Sequence, residues 1–109
     1  MQGCVYKNGV CMGFKTERYR EIIVPIVVKY LPDAKIILFG SRARDDERPS
    51  SNIDIALDVG HEIDDETMSY IRNDIQESEL PIECTIVDFN AVSATIQETI
   101  LEDAITWHN

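Results

Sequence analysis

The chain has 109 residues, 44% of them apolar and 28% charged, enough for one small domain around one core. Its net charge of −10 repels phosphate backbones, which disfavours direct nucleic-acid binding, and it would draw a basic protein partner instead. No apolar run nears the roughly 20 residues of a membrane span, no secretory signal opens the chain, and the three cysteines Cys4, Cys11 and Cys84 form no Cys-x-x-Cys pair. A disulfide framework and a zinc site are both disfavoured, and a cytoplasmic protein is expected.

Residues 1–15 read as a separate tail or hairpin, because Asn8-Gly9 stands between β-formers. The domain proper is expected over 16–109. From Thr16 to Leu31 the residues Tyr19, Ile22, Ile23, Ile26, Val27 and Tyr30 recur at helical spacing. Pro25 inside this pattern is expected to kink the helix or restart it. Ile36-Ile37-Leu38-Phe39 is a short apolar run, which predicts a buried central strand. Gly40-Ser41 breaks it, and residues 42–51 form a charged surface connection with room for one helical turn.

Ile53, Ile55 and Leu57 alternate with Asn52, Asp54, Ala56 and Asp58, the pattern of a half-buried strand. Glu62 to Ser78 reads as an amphipathic helix carrying Met68, Ile71 and Ile75. Ile82 to Phe89 reads as a third strand. Val92 to Trp107 reads as a last helix, with Ile96, Ile100, Leu101, Ala104 and Ile105 on one side. The expected fold class is α/β (α+β): a small mixed three-stranded sheet with helices packed on one face.

One stretch speaks of chemistry. Gly40-Ser41 follows an apolar strand, and ten residues separate Ser41 from Asn52-Ile53-Asp54. Residues two apart on a strand share a face, so Asn52 and Asp54 stand side by side. Spacing and strand context together resemble the minimal nucleotidyltransferases of the DNA polymerase beta superfamily, whose pattern is Gly-Ser, ten residues, then Asp-x-Asp. Ser51 before the acidic position and Glu79-Leu80-Pro81 ahead of the third strand extend the resemblance over 16–107. It implies the polymerase beta-like fold and transfer of a nucleoside monophosphate from a triphosphate. Two Mg²⁺ ions roughly 3.5–4 Å apart serve such a reaction by clamping the attacking and leaving oxygens. The resemblance assigns Gly40 and Ser41 to the terminal phosphates. Arg44 is a further candidate there, and so is Arg42. Salt bridges with Asp45, Asp46 or Glu47 are the alternative for both arginines.

Two positions depart from that pattern. The first carboxylate is the amide Asn52. The third, expected on the strand after the second helix, aligns with Thr85. Asp88 lies at an odd offset from Thr85 and points to the other face. Glu83 shares the face of Thr85, but one pleat repeat of roughly 6.5–7 Å separates them. The site's formal charge thus falls from −3 to −1, leaving Asp54 as ligand, Asn52 as a weak neutral one and Thr85 in the place of the base. Mg²⁺ is expected to bind weakly, or only with nucleotide.

The expected function is nucleotidyl transfer that is weak or absent. The alternative is a non-catalytic, antitoxin-like binding module that pairs with a HEPN-domain protein, a partner implied by the resemblance. A homodimer is the other expected assembly. His61, His108, Trp107 and Cys84 read as surface, terminal or packing residues.

Overall fold

The computed structural model describes residues 5–7, 10–12, 14–44 and 52–108, with side chains at 16–44 and 52–108. The turn expected at Asn8-Gly9, and Asp45, Asp46 and Glu47 as ion-pair partners, lie outside the described residues. Strands β1 (Val5–Lys7) and β2 (Val10–Met12) pair antiparallel as a two-stranded sheet of their own. Helix α1 runs from Phe14 to Tyr30. Then come β3 (Lys35–Phe39), the short α2 (Ser41–Arg44), β4 (Ile53–Asp58), α3 (Asp65–Gln76), β5 (Cys84–Asp88), a 3₁₀ turn at Phe89–Ala91, α4 (Ala94–Glu102) and β6 (Ile105–His108).

Helix α1 passes through Pro25 without a restart. Proline removes the bond to the carbonyl four residues back. Both Glu21 and Pro25 are exposed, so water can serve that carbonyl. Helix α3 starts where Asp64 caps it, accepting from the Thr67 backbone N–H at 3.0 Å, a common use of Asp before a helix.

Among the described residues, the main sheet has four strands in the order β5-β4-β3-β6. β3 is antiparallel to β4 and β6, and β4 is parallel to β5. The fourth strand is a correction to the sequence reading, which ran one helix from Val92 to Trp107. The helix ends at Glu102, and Ile105, Thr106 and Trp107 turn into β6 beside β3. These β-branched and aromatic residues suit a pleated surface better than a helix. Trp107 is thereby buried at 2% exposure among the core side chains. Its carbonyl accepts from the Arg20 guanidinium at 2.7 Å. His108, expected to fray, lies in β6 with Nδ1 at 3.0 Å from the Ala34 carbonyl.

The larger core lies between the sheet and the pair α1 and α3. Ile23 and Val27 of α1 and Met68, Ile71 and Ile75 of α3 meet Ile36, Leu38, Ile53, Ile55, Leu57 and Ile86 of the sheet. A second, smaller cluster lies on the opposite face, where Ile100 of α4 covers Ile37 and Ala56. Helices therefore sit on both faces, not one. Of the side expected for the last helix, Ile100 is buried while Ile96, Leu101 and Ile105 are exposed. The face under α4 is also the face of Asp54, by strand alternation.

Candidate functional site

The antiparallel register sets Asp54 opposite Phe39, the last residue of β3. The next residue, Gly40, turns the chain with φ +79°, a left-handed conformation that favours glycine. There is a second reason for glycine. A Cβ at this position would lie 2.5 Å from the Asp54 Oδ2, so the carboxylate packs directly against the bare backbone. The Gly40 carbonyl then accepts from the N–H groups of Ala43 and Arg44 at 3.0 and 3.1 Å. That closes the turn of α2, which begins at Ser41.

The parallel register sets Thr85 beside Asp54. The Thr85 hydroxyl lies near enough to the Asp54 carboxylate to favour its ionised form. Asn52 immediately precedes β4 and is exposed. Carrying the β4–β5 register one residue back brings Asn52 beside Glu83, whose carbonyl accepts from Ile53 N–H at 2.9 Å. Strand positions 52, 54, 83 and 85 thus make a two-by-two array on one face, with Asp54 nearest the turn. Asp88 is spent elsewhere. Its two oxygens accept from the backbone N–H groups of Ile63 at 2.7 Å and Asn90 at 3.2 Å.

The two arginines of the turn part company. Arg44 is exposed and pairs with Asp103 at 3.4 Å, and its charge also favours ionised Asp54. Arg42 is buried at 4% exposure and donates to Thr16 Oγ1 at 2.9 Å. It braces α2 against the first turn of α1. Nothing in the sequence distinguished the two. The pairing of Arg44 with Asp103 was likewise unread, because it joins residues far apart in the chain.

Burial raises the Asp54 carboxyl above its ordinary range, outweighing the Thr85 hydrogen bond and the charge of Arg44. Cys84, at the start of β5, is pushed up to about 12 by burial and by Asp54. Such a thiol stays protonated and inert at neutral pH.

Folding makes Asp54 hold its proton more tightly than the unfolded chain does. Charging it therefore costs stability above the folded pKa, and the cost vanishes below the unfolded value. Asp54→Asn, which keeps an acceptor for Thr85, is expected to raise the thermal midpoint at about pH 7 and to lose this advantage near pH 3. Melting curves of both proteins across that range check it. An advantage that grows on acidification contradicts the assignment.

The described residues do not fit a resident pair of divalent ions. Among the described residues, no group of three or more His, Cys, Asp or Glu stands together to hold a metal. Asn52 offers a neutral oxygen, and Thr85 a hydroxyl where a carboxylate would be needed.

Residues 21–107 match the family described as polymerase beta, nucleotidyltransferase. No curated protein matches the chain. Among solved structures, a toxin–antitoxin crystal structure with AMP-PNP aligns at a TM-score of 0.72 and 19% identity, over 83% of this chain and 73% of that one. A mutant of the MntA–HpeT toxin–antitoxin aligns at 0.70 and 18%, over 83% and 72%.

Proposed function

Because the chain belongs to the polymerase beta nucleotidyltransferase family, we propose that it binds a nucleoside triphosphate at the Gly40–Ser41 turn and transfers the nucleotide weakly or not at all. One observation carries this reading. Asp54 sits against the glycine of the turn, while the flanking array positions 52 and 85 are an amide and a hydroxyl. Gly40 and Ser41 meet the terminal phosphates, with Arg44 at the edge. Asp54 is the remaining charged ligand. Asn52 is a weak one, and Thr85 occupies the place of the base without the ability to serve as one. Mg²⁺ enters only with the nucleotide, since a charge near −1 holds two free dications poorly.

A second role is favoured by the company of the fold. Two solved structures that it resembles are toxin–antitoxin proteins, one of them with AMP-PNP. This chain also leaves Tyr70, Ile96, Leu101 and Ile105 exposed on a surface of net charge −10. Such features suit an antitoxin-like module that works by complex formation, with a HEPN-type helical protein as the partner class and a homodimer as the other assembly.

Calorimetry with ATP, GTP, CTP and UTP tests the first reading. Binding is expected with Mg²⁺ and triphosphate together, and no tight site for Mg²⁺ or Mn²⁺ alone. Micromolar binding of two ions to the nucleotide-free protein would overturn the account of the metal site. Sedimentation, and co-purification with a co-expressed HEPN-type protein, test the second. A monomer at high concentration that ignores that protein counts against it.

A further inference from the structure

We propose that the open edge of β5 is a docking site for an extended, apolar and cationic segment of a second protein, which adds to the sheet beside β5. This stands apart from the nucleotide reading and does not need it. Among the described residues, β5 is outermost in the sheet. The Glu83 carbonyl accepts from Ile53 N–H, and alternation along the parallel ladder turns the backbone groups of Glu83, Thr85 and Val87 toward β4. Those of Cys84, Ile86 and Asp88 therefore face away from the sheet. The Ile86 carbonyl points that way, for it accepts from the Arg72 guanidinium at 3.2 Å.

Arg72 comes from α3 and lies across a groove between that helix and the strand edge. A cavity of about 420 Å³ lies on one side of it, floored by Ile75, Leu80, Ile82 and Cys84. A second, of about 360 Å³, lies on the other side, floored by Ile63, Met68, Ile86 and Val92. Arg72 lines both. Peptides that extend a sheet take main-chain hydrogen bonds from the edge and seat alternate side chains in such pockets. Cys84 to Asp88 spans roughly 13 Å, so two apolar side chains of one incoming strand fall within reach of both.

Charge selects the occupant. Glu83 lines the first cavity, and Glu62, Asp65 and Asp88 line the second. Arg72 is the cation common to both, and it is turned to the Ile86 carbonyl. A strand with lysine or arginine among its apolar residues suits this rim. A second copy of this chain does not suit it at this edge, because it would set the same acidic rim of Glu83, Glu62, Asp65 and Asp88 against itself. An incoming antiparallel strand also has a row of side chains on the other face, about 4.5–5.5 Å from its neighbours on β5. That row would stand beside Thr85, next to Asp54. Without an incoming strand, Arg72 shields this edge, a usual device against unwanted pairing.

The probes are two nine-residue peptides, one alternating valine with lysine and one alternating valine with glutamate. Each is titrated into the ¹⁵N-labelled full chain and followed by amide shifts and hydrogen exchange. The lysine peptide is expected to bind and to slow exchange at Cys84, Ile86 and Asp88 by about tenfold or more. Arg72→Ala, at an exposed position, clears the groove and is expected to tighten binding several-fold. Glu83→Lys is expected to weaken it, as is high salt. No binding to either the parent or Arg72→Ala overturns the proposal. So does equal binding of the glutamate peptide, protection centred on β6, or self-association of Arg72→Ala in place of peptide binding.

Discussion

The double variant Asn52→Asp, Thr85→Asp is expected to transfer labelled nucleotide at least about 10²-fold faster than the parent, given its acceptor, since a positioned base alone contributes about 10²–10⁴-fold. Both positions are exposed, so the substitutions disturb little packing. Asp at 52 would stand one pleat repeat from Asp54 on the same face. Asp at 85 would stand directly beside Asp54 on the next strand. Three carboxylates then surround the space in front of the turn. Neither single change suffices, because charge for the metal and a group to deprotonate the acceptor are both missing. Like charges at such distances repel, so the double variant should melt lower than the parent without metal and recover with Mn²⁺. The assay is transfer from labelled triphosphates to protein, including a co-expressed partner. If the unaltered chain labels strongly and Asp54→Ala abolishes it, the lost carboxylates were overvalued. Glu83 or a group supplied by a partner then takes their place.

Gly40→Ala is expected to cost about 2–4 kcal/mol of stability and to abolish nucleotide binding. Two effects add. The left-handed φ of +79° strains any residue with a Cβ, and that Cβ would meet the Asp54 carboxylate at 2.5 Å. Asp54 must then move or the turn must open, and either change separates the carboxylate from Ser41. Denaturant titration and nucleotide calorimetry check both halves. The pair Gly40→Ala, Asp54→Ala removes the clash but keeps the strain, so it should regain part of the stability and none of the binding. A Gly40→Ala protein as stable as the parent would show that the turn relaxes freely.

Much of the fold was legible because its signals are local. The apolar run Ile36 to Phe39, the alternation from Ile53 to Leu57 and the helical stripe of Tyr19, Ile23 and Val27 each lie within one element, and each sits where its period predicts. The end of the chain was misread for a physical reason. Ile96, Ile100, Leu101, Ala104 and Ile105 fall at helical spacing, and no glycine or proline marks the break after Glu102. What decides the matter is an unpaired edge of β3, far away in sequence, which recruits Ile105–His108. The site was half legible. The spacing of Gly40-Ser41 from Asp54 foretold a meeting across the sheet, since a strand that ends at a turn and its antiparallel neighbour must share that end. The direct seat of Asp54 on Gly40 and the division between buried Arg42 and exposed Arg44 are tertiary facts. They depend on Thr16 and Asp103, residues that no local pattern connects to the turn.

The place of β6 bears on how the molecule is made. Synthesis delivers the chain from its N-terminus, and α1, β3, β4 and β5 emerge in turn. Until Trp107 follows, β3 keeps a bare edge and the α1 side of the core lacks its largest side chain. Pairing β3 with β6 also closes most of the chain into one loop, and contacts of such long sequence separation form slowly. The nascent chain can therefore hold its helices and its β3–β4 hairpin while still short of the cooperative native state. Trp107 fluorescence would report this docking, which pairs the bare edge of β3 and completes the α1 side of the core.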